Sequence, residues 1–155
     1  GAADLSGTKR MAVISSETLH TSCVAIGGRA VLIEGRSGEG KSDLALRLID
    51  RGAVLVSDDY TVCARTDGVL LGSAPANIAG KIEVRGIGVI DMPHQDRVPI
   101  ALLVTILDAP PRMPEAPKKR RIAGIDIPEV ALAALEPSAP VKVELALKHI
   151  GWTPA

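Results

Sequence analysis

Aromatic side chains are almost missing from this chain of 155 residues: Tyr60 and Trp152 are present, and there is no phenylalanine. Base stacking needs aromatic platforms, so this scarcity argues against nucleic-acid binding by that route. The 46% of hydrophobic residues must then build a core from Val, Ile, Leu and Ala. An excess of charge is missing as well. Eighteen basic residues balance eighteen acidic ones, so no global field draws the chain to nucleic acid or to an anionic membrane. No apolar run approaches the ~20 residues that cross a bilayer, and no secretory apolar segment opens the chain. Cysteine is scarce: Cys23 and Cys63 both sit in apolar surroundings. They read as buried thiols rather than a disulfide or a metal pair, which fits a reducing cytoplasm.

What is present is a glycine-rich octapeptide, Gly35-Arg36-Ser37-Gly38-Glu39-Gly40-Lys41-Ser42. It reads G-x-x-x-x-G-K-S, a P-loop. An apolar strand-like run, Ala30-Val31-Leu32-Ile33, enters it, and a helical pattern from Asp43 to Arg51 leaves it. Strand, glycine loop and helix in that order are the context the motif needs. The glycines let backbone N–H groups turn inward around a phosphate chain, and the new helix adds its positive end. Lys41 supplies a movable charge for the β- and γ-phosphates, and the Ser42 hydroxyl is a Mg²⁺ ligand. The sequence thus predicts a site for a nucleoside triphosphate and leaves open what receives the phosphate.

Around that loop the patterning predicts an α/β domain of many short strands. Residues 1–10 are small and polar and read as a disordered tail or a cloning remnant, with Met11 as a native start. Thr18 to Ile26 and Arg29 to Glu34 form a hairpin about Gly27-Gly28. His20 lies in its first strand, where it is either structural or brought near the phosphate loop. The helix after the loop places Leu44, Ala45, Leu48 and Ile49 on one face and stops at Gly52. Ala53 to Val56 is a buried strand ending in Ser57-Asp58-Asp59. A strand ending in Asp after such a helix is where P-loop enzymes keep the acid facing Mg²⁺ or the nucleophile; an acidic turn is the other reading. Adjacent extended residues point opposite ways, so one of the two carboxylates should face the phosphate. Asp67-Gly68 marks a second hairpin, between Tyr60–Ala64 and Val69–Ser73. Residues 74–80 are a connection. Lys81 to Asp91 sets Glu83 and Arg85 on one side of an extended segment, either a metal–phosphate site or a surface ion pair. Val98 to Leu107 is a core strand. Asp108 to Arg121 holds four prolines and Lys118-Lys119-Arg120-Arg121, and reads as a mobile solvated loop or a lid. Ile122 to Pro128 is extended, Glu129 to Leu135 fits strand or helix alike, and Val141 to His149 is a last helix.

Together these residues resemble the HPr kinase/phosphorylase family, from about Thr18 to about Asp91. His20 stands the right distance before the loop. The loop reads Gly-x-Ser-Gly-x-Gly-Lys-Ser and leads into an Ala-Leu-rich helix. The next strand ends in Asp58-Asp59. Glu83-Val84-Arg85-Gly86-Ile87-Gly88-Val89-Ile90-Asp91 looks like the family's signature segment, which is far more particular than a P-loop. The resemblance implies a P-loop core with added antiparallel strands, like that of phosphoenolpyruvate carboxykinase, in one kinase domain over 11–155. It implies ATP bound by residues 35–42, and Mg²⁺ held by Ser42 and Glu83. The Asp pair would supply the general base, Asp59 foremost with Asp58 beside it, assisted by His20 and Lys41. An arginine assists catalysis in the family; Arg112 is the candidate, with Arg120 or Arg121 behind it. The implied activity is phosphorylation of a serine on an HPr-like phosphocarrier of the phosphotransferase system, by a cytoplasmic homo-oligomer, hexameric in the family. Longer family members carry an N-terminal domain, and a Pro-Gly-Arg-Asn motif linked to dephosphorylation. Here Glu136-Pro137-Ser138-Ala139-Pro140 stands in the motif's place, so the kinase direction transfers more safely than the reverse. A P-loop kinase of a small metabolite and a non-catalytic nucleotide-binding regulator are the rival functions.

Overall fold

The computed structural model describes residues 15–36, 38, 40–113 and 116–155. The expected tail of residues 1–10, Met11, and Ser37 and Glu39 of the glycine-rich loop lie outside the described residues. Eleven strands and two helices are described: β1 (Ser15–Leu19), β2 (Thr21–Ile26), β3 (Arg29–Glu34), α1 (Lys41–Asp50), β4 (Val54–Ser57), β5 (Thr61–Thr66), β6 (Val69–Ser73), β7 (Lys81–Val84), β8 (Gly88–Asp91), β9 (Val98–Ile106), β10 (Lys118–Ile122), β11 (Ile125–Leu132) and α2 (Ala139–Ile150). A 3-10 turn, Ala76–Ile78, precedes β7.

Turn chemistry explains the hairpins. Gly27 and Gly28, with φ of 59° and 83°, join β2 to β3. Asp67 and Gly68, with φ of 52° and 78°, join β5 to β6. Two successive positive φ values match the twist of the strands they connect.

The strand order is β1-β5-β6-β9-β3-β2-β4, and β9 is the pivot. Its start pairs antiparallel with β6, while its end pairs in parallel with β11, which carries β10 at its side. Its other edge runs parallel to β3. The result is a mixed, curled sheet with helices packed on it, an α/β arrangement. β7 and β8 form a separate two-stranded hairpin.

β3 is buried on both faces, which is why it reads as an unbroken apolar run. Val31 and Ile33 join Leu44 and Leu48 of α1 and Val143 and Leu147 of α2 in one core. Ala30 and Leu32 join Val56, Leu70, Ile122 and Ile127 in the other, inside the curl. Each fully buried Leu or Ile contributes about 1.5–3 kcal/mol. Opposite Ala30 and Val31 stand Ile100 and Leu102, so Ala101 is an extra residue in β9. That bulge puts the sequence neighbours Ala101 and Leu102 into the same core.

Several expectations need correction. The strand expected over Thr18–Ile26 is broken at His20, because β1 pairs with β5 and β2 with β3 and β4. The extended segment expected over Lys81–Asp91 is a hairpin, and Arg85 sits in its turn rather than beside Glu83 on a strand. Gly86 and Gly88, with φ of 85° and 123°, bend it there. The basic run is not loop: Lys118–Ile122 is β10, recruited by pairing with β11, which composition alone does not reveal. Ile122–Pro128 turns at Ala123-Gly124, and Glu129–Leu132 belongs to β11, its strand-or-helix ambiguity settled by the parallel partner β9.

Both cysteines are fully buried, and burial pushes both thiols up, Cys63 to about 12. The thiolate is the reactive form. At about pH 8 the native chain should therefore resist iodoacetamide, whereas unfolding in urea should expose both thiols. Mass spectrometry counts the adducts, and rapid native labelling would contradict this burial.

Candidate functional site

Four pieces of chain meet at the C-terminal end of β3. The first is the glycine-rich loop. Gly38 and Gly40 take φ of 85° and 98°, and Gly40 accepts the Leu44 N–H at 2.9 Å, so α1 starts at Lys41. The early N–H groups of the helix have no partner within it and face the loop, as an anion site requires. Arg47 holds the opposite wall. It pairs with Asp43 at 2.9 Å and donates to the carbonyls of Ala134 and Glu136. That keeps Ala134 against Gly40, where an added Cβ would meet it at 3.4 Å.

The second piece is the end of β4. Asp59 has φ of 69°, a left-handed conformation that Asp tolerates better than most residues. The Tyr60 N–H closes the turn on the Asp58 carbonyl at 2.8 Å. The two carboxylates consequently part company. Asp58 is buried, 7% exposed, and accepts from Ser22 Oγ at 3.1 Å, from Ser42 Oγ at 2.6 Å and from the Glu83 N–H at 3.0 Å. Asp59 is 54% exposed; its Oδ1 lies 2.8 Å from His20 Nε2 and 3.9 Å from Lys41 Nζ.

The third piece is the bend at His20, which releases its ring from both flanking strands. The ring stacks on Tyr60, with centroids 4.8 Å apart and planes 21° from parallel. The fourth is β7, whose Glu83 is tied by its backbone to Asp58 while its side chain is exposed. A cleft of about 600 Å³ opens beside these groups, lined among others by His20, Glu34, Gly35, Arg36, Thr105 and Asp108.

The structure thus brings together Lys41, Ser42, Asp58, Asp59, His20 and the backbone of Glu83. Arg112 is exposed on the chain that follows β9 and does not line the cleft. Sequence reasoning missed Ser22, Glu34, Thr105 and Glu129. Ser22 is one of several small residues in an apolar strand, and nothing local distinguishes it. Lys41 is only 5% exposed, with its Nζ 3.9 Å from Asp59 Oδ1. The Asp59 carboxylate, hydrogen-bonded yet open to solvent, can accept a proton from an approaching hydroxyl. Among the described residues no three His, Cys, Asp or Glu side chains cluster as a metal cage. Two hard-oxygen donors flank Asp58: Ser42 Oγ, 2.6 Å from its carboxylate, and the exposed Glu83 side chain, whose backbone N–H meets the same carboxylate at 3.0 Å. Such a set fits Mg²⁺, which takes one or two carboxylates and draws its remaining ligands from phosphates and water.

A family model described as HPr Serine kinase C-terminal domain matches residues 11–143. The HPr kinase/phosphorylase of Clostridium botulinum (strain Eklund 17B / Type B) is 49% identical over 74 residues, 48% of this chain and 24% of that one. The HPr kinase/phosphorylase of Clostridium novyi (strain NT) is 47% identical over 83 residues, 53% and 27% of the two chains. The chain therefore spans about a quarter of the length of these curated relatives. Among solved structures, the Hpr(Ser) kinase/phosphatase from Coxiella burnetii superposes with a TM-score of 0.74 at 29% identity. That match covers 85% of this chain and 94% of the other.

Proposed function

This chain belongs to the HPr serine kinase C-terminal domain family, and from that premise we propose that it transfers the γ-phosphoryl group of ATP to a serine of an HPr-like phosphocarrier protein. The observation that carries the reading is the Asp59 carboxylate, set between His20 and Lys41 at the mouth of the glycine-rich loop. The incoming serine Oγ bonds to the γ-phosphorus as the bond to the departing ADP oxygen breaks. The serine proton passes to Asp59. His20 orients that carboxylate through its Nε2 contact, and Lys41 balances the charge on the β- and γ-phosphates. Residues 35–42 hold the triphosphate as a P-loop. Ser42 and Glu83 would hold Mg²⁺, which supplies further charge neutralisation on the phosphates when bound. Asp58, occupied by three donors, keeps the loop, β2 and β7 in register around the reacting groups. Arg112, exposed on the chain after β9, remains the candidate for the arginine that assists transfer.

Exposure of the base supports a protein acceptor. A kinase of a small metabolite closes its acceptor away from water, whereas Asp59 and His20 are 54% and 42% exposed. Such a base can meet a serine carried on another protein's surface. The test incubates a purified HPr-like carrier with the chain, ATP and Mg²⁺, and follows intact mass. One added phosphate, placed on serine by fragmentation and absent with Lys41→Ala, is the expected result. No transfer despite demonstrated ATP binding would overturn the reading in favour of a small-molecule kinase or a regulator. Inorganic phosphate added afterwards tests the reverse reaction, which the absence of a Pro-Gly-Arg-Asn motif in the sequence makes the weaker half.

A further inference from the structure

The basic run Lys118-Lys119-Arg120-Arg121 divides on β10. Lys118, Lys119 and Arg121 are exposed, and Arg121 pairs with Asp126 at 3.2 Å. Arg120 turns inward. It grips Glu34 with two parallel bonds, Nη1 to Oε2 at 3.1 Å and Nη2 to Oε1 at 2.9 Å. The same Nη2 donates to Glu129 Oε2 at 3.2 Å, and that oxygen also accepts from Thr105 Oγ1 at 2.8 Å. Four strands, β3, β9, β10 and β11, contribute one residue each. All four residues lie on the sheet face away from the helices, as the alternation with buried Leu32, Leu103, Ile122 and Ile127 requires.

Position gives this network a function. Glu34 is the residue before Gly35, and both Glu34 and Thr105 line the cleft. One carboxylate, Glu34, therefore stands at the loop proposed to gather three phosphates, and a second, Glu129, is bound to the same arginine and to Thr105 behind it. Unbalanced, they would repel that anion; with one guanidinium held between them, their local charge falls from minus two to minus one. We propose that Arg120 is a positioning residue for the triphosphate, which cancels carboxylate charge at the entrance of the glycine-rich loop and fixes the end of β3 that leads into it. The inference rests on the nucleotide-binding reading above. A fork with two parallel N–H···O bonds is what arginine supplies and lysine does not.

Arg120→Met and Glu34→Gln break the same ion pair, and this makes the test decisive. If the pair matters only as a brace, both changes weaken nucleotide binding alike. If its charge matters, they move affinity in opposite directions. Titration of the full chain with N-methylanthraniloyl-ATP should show Arg120→Met about five- to tenfold weaker and Glu34→Gln about twofold tighter. Both differences should shrink at about 0.5 M salt, since screening shortens the reach of exposed charges. The double variant should fall between them. Equal weakening by both single changes, or no change in either, overturns the proposal. Should Arg120→Met fail to fold, as judged by its melting curve, Glu34→Gln decides alone: tighter binding supports the inference and weaker binding overturns it. Failure of the unaltered chain to bind the nucleotide removes the functional reading itself, a result distinct from either variant outcome.

Discussion

Asp59→Asn should lower turnover in phosphoryl transfer by about 10²- to 10⁴-fold while leaving nucleotide affinity within about twofold. A serine hydroxyl is a poor nucleophile, and its proton must leave as the phosphoryl group arrives. Asparagine keeps the shape of the side chain and an oxygen that can face His20, but it cannot take the proton. Lys41, 3.9 Å away, stays where it is, because the glycine-rich loop and not Asp59 sets the start of α1. The loss should fall on kcat rather than on the KM for ATP, the signature of an interaction used only in the transition state. Steady-state kinetics on the carrier protein separate the two constants. A variant that phosphorylates at the normal rate would remove Asp59 as the base. A variant that no longer binds ATP would make it a structural residue instead.

Its neighbour should behave in the opposite way. Asp58→Ala removes the acceptor of three hydrogen bonds, two of them from Ser22 and from the Glu83 N–H. Ser22 is fully buried and has no water to turn to. A buried donor left unsatisfied costs about 1–3 kcal/mol, so a total of roughly 3 kcal/mol is expected once Ser42, which is less buried, re-aims its hydroxyl. For a chain of this size that is a fall of about 6–12 °C in Tm. Calorimetry measures it. Hydrogen exchange provides the local readout: the Glu83 amide should lose protection as the β7–β8 hairpin detaches from β4. An unchanged Tm would mean that Asp58 does not hold the site together. The expected loss would show two adjacent carboxylates that differ in kind, Asp58 acting on the fold and Asp59 on the chemistry.

That difference was half legible. Two successive residues at a strand end point to opposite sides, so the sequence implied that one carboxylate would face the phosphate and the other would not. It did not reveal that the second would gather Ser22, Ser42 and the β7 backbone. The hairpins about Gly27-Gly28 and Asp67-Gly68 were plain, because their turn types need positive φ and glycine or aspartate supplies it cheaply. β10 was not plain. Lys118-Lys119-Arg120-Arg121 has the composition of a solvated loop, and only the long-range pairing with β11 makes it a strand. The break at His20 was hidden for a similar reason: Thr18 to Ile26 alternates as one strand, yet its two halves find partners in different parts of the sheet.

By itself the sequence determined the glycine-rich loop, the strand before it and the helix after it. These are local events, governed by backbone freedom at glycine, by apolar period and by the start of a helix. Family likeness of the signature segment was also in the sequence, since it lies in contiguous residues. The tertiary structure alone decided how His20, Asp59 and Lys41 converge, how Asp58 is occupied, and how Arg120 reaches Glu34 across 86 residues of chain. Those contacts depend on which strands pair with β9 and on which face each residue falls, and burial of the whole core sets that register. No short window of residues contains it.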